Sequence, residues 1–251
     1  MNNTRKLFIA FTATIALATW LKAGPTENDV GDPDSFKQGA NFLGVNSGFI
    51  YVNNCPAPTP APSVAPNNTS PQCFTTAACP ATDVFDAFNI AAIVLPKDAT
   101  RDIIYPVLNF FHDFTLENTS GSPQSSVFFD YTADITIESS VLNDPSCIDP
   151  NTGNPCGGKL QFQFGDNRMR EDRSMNPGDR ERQHLNYSRA GNLGITKRSM
   201  VESGLSQQLA DKLFHSQMTL RLNVHMRMRC VNQSAVPATP TIIANMRLFG
   251  D

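Results

Sequence analysis

Few residues in this chain have both the type and the spacing for chemistry. Four histidines occur, and one of them, His112, has an acidic neighbour in Asp113. A base and an orienting carboxylate are the start of a nucleophilic constellation. Here, however, the pair sits in the alternating run Leu108 to Leu116, where adjacent side chains leave a strand on opposite faces. His112 shares its face with Leu108, Phe110, Phe114 and Leu116, so a hydrogen-bonded core histidine is expected. Among the others, His184 falls in a charged stretch, His215 near a helix end and His225 on a strand.

The motif search excludes the commoner chemistries. Gly44-Val45-Asn46-Ser47-Gly48 places its serine one position too late for a nucleophile elbow. Neither H-E-x-x-H nor a phosphate-binding glycine loop occurs. Asp149-Pro150-Asn151-Thr152-Gly153 begins like a calcium loop but lacks the later ligands and the closing glutamate. Six cysteines are present without a C-x2-C pair or a nearby histidine pair, so no zinc site is expected. The expectation is therefore no cofactor, no metal and no catalytic residue. A carbohydrate- or small-ligand-binding module and a secreted hydrolase with a scattered site are the alternatives. The only tryptophan, Trp20, lies in the leader, which removes the usual platform for stacking sugars.

Two charged stripes remain as candidate binding residues. Asp130, Asp134 and Glu138 line the polar face of one alternating run; Arg221, His225, Arg227 and Arg229 line that of another. Neighbouring strands would let the stripes pair across one sheet, whereas separated strands would offer them to a second subunit. Carboxylates four residues apart on a strand are about 13 Å apart, too far for the roughly 5–10 Å of a glycosidase pair. A third charged feature, Arg168 to Arg198, mixes eight basic residues with Glu171, Asp172, Asp179 and Glu181. It is read as a solvated loop turning at Asn176-Pro177-Gly178-Asp179. With Tyr187 its only aromatic, it offers no platform for nucleic-acid bases.

The elements that would carry these residues are mostly strands. From Met218 to Cys230, every even position is Met, Leu, Val or Cys, and every odd one is Thr, Arg, Asn or His. A strict period of two over this length marks a half-buried strand. Phe128 to Glu138 repeats the pattern, and Leu108–Leu116, Leu160–Phe164, Ile242–Leu248 and Phe49–Val52 are further strands. Residues 84 to 95 are apolar on both sides and suit a strand covered on both faces. One short helix is expected over about residues 206–216, capped by Ser206, with Leu209, Leu213 and Phe214 on its buried side. The fold class is mainly β: an antiparallel β-sandwich, jelly-roll-like or similar, with that helix and a Pro-rich loop. An outer-membrane barrel is disfavoured by the small number of alternating runs and the lack of regular short turns.

The organisation follows from the ends inward. Residues 1–23 read as a signal peptide: Arg5 and Lys6, an uncharged run from Leu7 to Leu21, and the small-residue pattern Ala16-Leu17-Ala18. Cleavage near Thr19 or Gly24 would leave a chain with no transmembrane segment, secreted or periplasmic. Residues 24–82 form an N-terminal extension holding the Pro-rich, cysteine-containing loop 55–82, and residues 83–251 the sandwich, with 24–251 as one domain the alternative. The even cysteine count, all after the leader, is expected to give disulfides. Cys147 and Cys156 staple a turn-rich loop; the pairing of Cys55, Cys73, Cys79 and Cys230 stays open. The net charge of −3 gives no field for nucleic acid. Asn-x-Ser/Thr sequons stand at Asn67, Asn68, Asn118, Asn186 and Asn232. The expected role is a non-catalytic one, binding a protein partner or self-associating outside the cytoplasm.

Overall fold

The computed structural model describes residues 41–53, 55, 72–163, 168–190, 194–233 and 240–251. The leader, the tract 56–71 and the sequons at Asn67 and Asn68 lie outside them. Twelve strands are formed among the described residues: β1 Asn41–Val52, β2 Gln72–Phe74, β3 Thr82–Leu95, β4 Ile103–Glu117, β5 Gln124–Glu138, β6 Lys159–Gln163, β7 Met169–Met175, β8 Arg180–Ala190, β9 Ile195–Thr196, β10 Met218–Arg229, β11 Val231–Gln233 and β12 Ile242–Gly250. Two helices, α1 Lys197–Glu202 and α2 Gln207–Phe214, join β9 to β10.

The strands make two sheets of a β-sandwich. In sheet A, β4 carries β8 and β9 along one edge and β12, continued by β11, along the other; β1 and β2 follow β12. Sheet B runs β3-β10-β5, with β6 and β7 sharing the far edge of β5. Every pairing is antiparallel except β1 with β2. β1 and β2, from the stretch read as an extension, are thus strands of sheet A.

The period-two pattern explains the layer between the sheets. The even residues of β10 from Met218 to Met228 are buried, and so are Phe129, Tyr131, Ile135 and Ile137 of β5. Phe110 and Phe114 of β4 and Ile242 to Leu248 of β12 face them from sheet A. The Phe114 and Phe129 rings stack across the layer with centroids 4.1 Å apart. Where β1 passes β3 the sheets come closest. An added Cβ at Gly48 would fall 1.8 Å from the Ile90 carbonyl oxygen, so only glycine fits there. Asn46 Nδ2 donates to the Ala92 carbonyl at 2.7 Å along the same seam.

Several of the chain's changes of sheet fall at one end of the sandwich. β4 leads to β5, β7 to β8, and β10 to β11 through Cys230, which takes a left-handed φ of 55°. Asn118 sits fully buried among these crossings. Its Nδ2 donates to the carbonyls of Ser122 (2.9 Å) and Met175 (3.0 Å). Its backbone bonds Asp179 and Gly178 at the tip of the β7–β8 turn. The Cys79–Cys230 disulfide ties the residues before β3 to the same crossing, Cα atoms 4.5 Å apart. Cys147–Cys156 closes the loop read from sequence, and Cys55–Cys73 joins the far side of the tract to β2.

Three elements differ from the sequence reading. Arg168–Arg198 is not a loop: it supplies β7 to sheet B, β8 and β9 to sheet A, and the start of α1. Its alternation is hidden because both faces of an edge strand are largely polar. Helix α1 has no apolar periodicity and is set instead by the Thr196 and Ser199 capping box. In β3, three residues oppose the single Asn223 of β10 between Leu222 and Val224. Asn89 adopts φ 56° in this bulge. Phe88 therefore points out, 54% exposed, while Ile90, Ala91, Ala92 and Ile93 are all buried.

Candidate functional site

The two charged stripes meet on the outer face of sheet B, because β5 and β10 are neighbours paired from Thr219↔Glu138 to Arg229↔Phe128. At the Glu138 end, Arg221 Nε donates to Glu138 at 2.6 Å and Nη1 to Asn89 Oδ1 at 2.7 Å. Lys159 Nζ lies 2.9 Å from the other oxygen of Glu138. Burial would raise the Glu138 pKa, but these two cations hold it below the usual carboxylate value.

At the centre, His225 spans three strands. Its Nδ1 lies 2.8 Å from Asp86 of β3 and its Nε2 2.5 Å from Asp134 of β5. The hydrogen bond to Asp134, with Asp86 adding to it, outweighs partial burial and raises the imidazole pKa to about 9. Asp134 is almost wholly buried. Burial alone would raise its pKa, yet donors from His225, Asn223 and Gln161 lower it. Asn223 also accepts the Asn89 backbone N–H at 3.0 Å and donates to Thr136 Oγ1 at 2.9 Å. The bulge, the imidazolium and both carboxylates thus form one satisfied network. A general base needs a free ring nitrogen at working pH, and His225 has neither nitrogen free.

At the third position the pairing departs from the register. Arg227 stands directly across from Asp130, but Asp130 is taken by Arg168, through Nε at 2.8 Å and Nη2 at 2.5 Å, and by Arg170 at 3.6 Å. Arg170 also binds Asp172. The buried Phe128 ring next to Asp130 has two guanidinium groups over it, Arg170 at 4.9 Å and Arg229 at 5.6 Å. Arg229 Nε donates to Thr82 Oγ1 at 2.9 Å. Four arginines therefore gather over Asp130 and Phe128. Among the described residues, no carboxylate lies within ion-pair distance of Arg227 or Arg229. Arg168 and Arg170 were visible in sequence, yet nothing there showed that β7 would bring them to Asp130.

The remaining histidines lie away from this network. His112 is fully buried; its Nδ1 meets the Tyr131 hydroxyl at 3.2 Å and its Nε2 has no partner. Desolvation, aided by His184 and opposed by Asp113, lowers its pKa to about 4. Asp113 faces the other way, as expected, held by Arg182 at 2.9 and 2.6 Å on the outer face of sheet A. The hydrogen bond from Arg182 keeps its carboxyl below the usual range. His215 closes the C-terminus of α2 and bonds Asp98 at 2.9 Å. An open cleft of about 660 Å³, lined by Glu138, Ser140, Gly158, Lys159 and Arg221 among others, lies beside the Glu138 end. Its cations are already matched to Glu138, and no nucleophile–base pair faces it. No group of three metal-ligating side chains exists among the described residues, and no helix there is long and apolar enough to cross a membrane.

No family model matches the chain, and neither a curated protein nor a solved structure is detectably similar to it.

Proposed function

We propose that this is an exported, disulfide-braced β-sandwich with a non-catalytic binding or assembly role outside the cytoplasm, and that it binds through the cationic end of the outer face of sheet B. The observation that carries this reading is the mismatch at Asp130. Three carboxylates of β5 are fully engaged, while Arg227 and Arg229 remain without a counter-charge on an open face. Three disulfides and the leader are compatible with an oxidising compartment outside the cytoplasm. The engagement of both His225 nitrogens and the sealed position of His112 argue against catalysis by the histidines with carboxylate neighbours.

Arg227→Ala is the direct test. Arg227 is exposed and buries no ion pair, so the melting temperature should stay within a degree or two. Association measured by light scattering, or binding of a synthetic poly-glutamate by calorimetry, should weaken about fivefold or more and lose its salt dependence. Unchanged association and unchanged poly-glutamate binding would remove this surface from the reading.

A further inference from the structure

Resting on that reading, we propose that the occupant of the four-arginine patch is the acidic segment Glu27–Asp34 of a second copy of this chain, so that the protein assembles by lending its N-terminal stretch to a neighbour. Glu27, Asp29, Asp32 and Asp34 stand without a basic residue between Lys22 and Lys37. This is the one stretch of the chain with four carboxylates in eight residues and no internal cation, and it complements the patch of sheet B where Arg227 and Arg229 have no counter-charge among the described residues.

The spacing fits as well as the sign. Arg227 and Arg229 are two residues apart on one face of β10, about 7 Å. Glu27 and Asp29 present their carboxylates at the same interval when extended. Asp32 precedes Pro33, a dipeptide that disfavours the helical region, and carboxylates two residues apart on an extended chain would stand about 6–7 Å apart. Guanidinium groups take carboxylates in forked pairs, and Arg227 and Arg229, with no carboxylate within ion-pair distance among the described residues, keep that capacity open. Phe128 is buried under Arg170 and Arg229. The ring beneath the arginines is therefore not open to stack on a sugar or a base, and the exposed Phe88 ring lies beside His225 instead, which favours a peptide among anionic ligands at this patch.

Reach decides between the chain's own segment and a neighbour's. Asn41 begins β1 opposite Gly250, which in turn lies opposite Ile104. Arg227 and Arg229 lie at the other end of the sandwich, where Cys230 meets Glu117. The length of β4 between those ends is about 43 Å. The seven residues from Asp34 to Asn41 span at most about 24 Å, and the twelve from Asp29 about 41 Å. The chain would also have to pass from sheet A to the outer face of sheet B. Arg227 lies about 10 Å short of that end, so the chain's own Asp34 still cannot reach it even fully extended, whereas a second copy can present all four carboxylates. Such a contact is head-to-tail in kind; it closes if two copies exchange segments and extends if they do not.

The experiment uses the recovered full chain, its Glu27→Lys/Asp29→Lys variant, its Arg227→Glu/Arg229→Glu variant and the combined charge swap. Each is followed by sedimentation equilibrium at low and high salt. The acidic-segment variant changes no residue of the described strands, and the melting curve of each variant checks that the fold is kept. Expected is an assembly that weakens about tenfold or more in each double variant and with added salt, and that recovers in the swap. In trans, a synthetic peptide of residues 25–36 should bind the Glu27→Lys/Asp29→Lys chain and fail to bind the Arg227→Glu/Arg229→Glu chain. Binding of poly-glutamate but not of this peptide, with association indifferent to Glu27→Lys/Asp29→Lys, would overturn this inference and leave the binding surface standing. A chain that is monomeric in every form, with neither peptide nor poly-glutamate bound, would overturn both.

Discussion

The Nε2 of His225 lies 2.5 Å from Oδ2 of Asp134 across the β10–β5 pair, while Nδ1 of the same ring meets Asp86 of β3. A single side chain thereby connects three consecutive strands of sheet B. It does so only as an imidazolium, since both nitrogens must donate. A neutral ring would leave one of the two carboxylates facing a lone pair, and Asp134 is too deeply buried to turn to water instead.

This bracket should make the protein sensitive to mild alkali. The His225 pKa is raised to about 9 from the model-compound value of 6.5. Below 6.5 the ring is charged in both folded and unfolded chains, and the stabilisation is fully present; it is lost as pH rises through 9. Because a third of the side chain reaches solvent, the loss between pH 6.5 and 9.5 is expected to be about 1–2 kcal/mol. Urea midpoints measured across that range should fall for the native chain and stay flat for His225→Gln. A native midpoint that held steady up to pH 9.5 would contradict the bracket.

His112 should act in the opposite direction and in acid. Its pKa is lowered to about 4 by burial. The unfolded chain therefore binds the extra proton first, and stability falls as pH drops from 6.5 towards 4. The full effect is about 3 kcal/mol. Replacing His112 by Phe, which matches its neighbours Phe114 and Phe129, should remove most of this acid slope. The carboxylates with lowered pKa values cost stability mainly below about pH 5, where the unfolded chain takes up their protons, so denaturation curves at pH 7, 6 and 5.5 isolate the His112 effect.

Much of the architecture could be read from alternation, because a strand with one wet face writes its burial into every second residue. Met218–Cys230 and Phe128–Glu138 were placed in this way, while whether their polar faces meet in one sheet stayed open. What alternation cannot show is where a strand departs from its period or borrows partners from elsewhere. The bulge at Asn89 reversed Phe88 relative to Ile90, and its cause is the Asn223 amide, a residue from a strand far along the chain. β7 and β8 went unseen because edge strands bury little on either side. The consequence reached the candidate site: Asp130, which stands opposite Arg227 in the register, is paired with Arg168 and Arg170 instead.

Asn118 carries a glycosylation sequon, yet its side chain is enclosed where the sheets exchange strands. A glycan there would displace the Ser122 and Met175 carbonyls that its amide serves. Expressed in a glycosylating host, the protein should carry no glycan at Asn118 by peptide mass spectrometry, whereas Asn186 and Asn232 are on exposed strands. Asn118→Ala should cost about 1–3 kcal/mol by removing the side-chain donor to the carbonyl of buried Met175. A glycosylated Asn118 in folded protein would show that this corner is built differently.

The central strand sets a stronger test of the fold. Leu222 of β10 has no exposed surface and lies between Ala91 and Ile135. Leu222→Asp places an unpaired carboxylate in the layer between the sheets. The cost of several kcal/mol is a large share of the roughly 5–15 kcal/mol holding a domain together. Loss of cooperative unfolding is expected; a variant with a native-like melting curve would show that the even face of β10 does not look inward.

The closest approach of the two sheets offers the last prediction, because it depends on backbone atoms that cannot step aside. A Cβ at Gly48 would lie 1.8 Å from the Ile90 oxygen and 2.6 Å from its carbonyl carbon. Ile90 is fixed by the bulge at Asn89, which the Asn223 amide holds in turn. Gly48→Ala must therefore push β1 away from β3, opening the seam bridged by Asn46 and Ala92. Gains from reduced freedom in the unfolded chain, at most about 1 kcal/mol, are small against that displacement. A net loss of about 3 kcal/mol or more is expected. Gly121, in the β4–β5 crossing, supplies the control: an added Cβ there meets nothing within 4 Å. Gly121→Ala should leave the midpoint unchanged or slightly raised. Equal tolerance of alanine at both positions in urea titrations would mean that β1 and β3 do not pack as closely as this geometry requires.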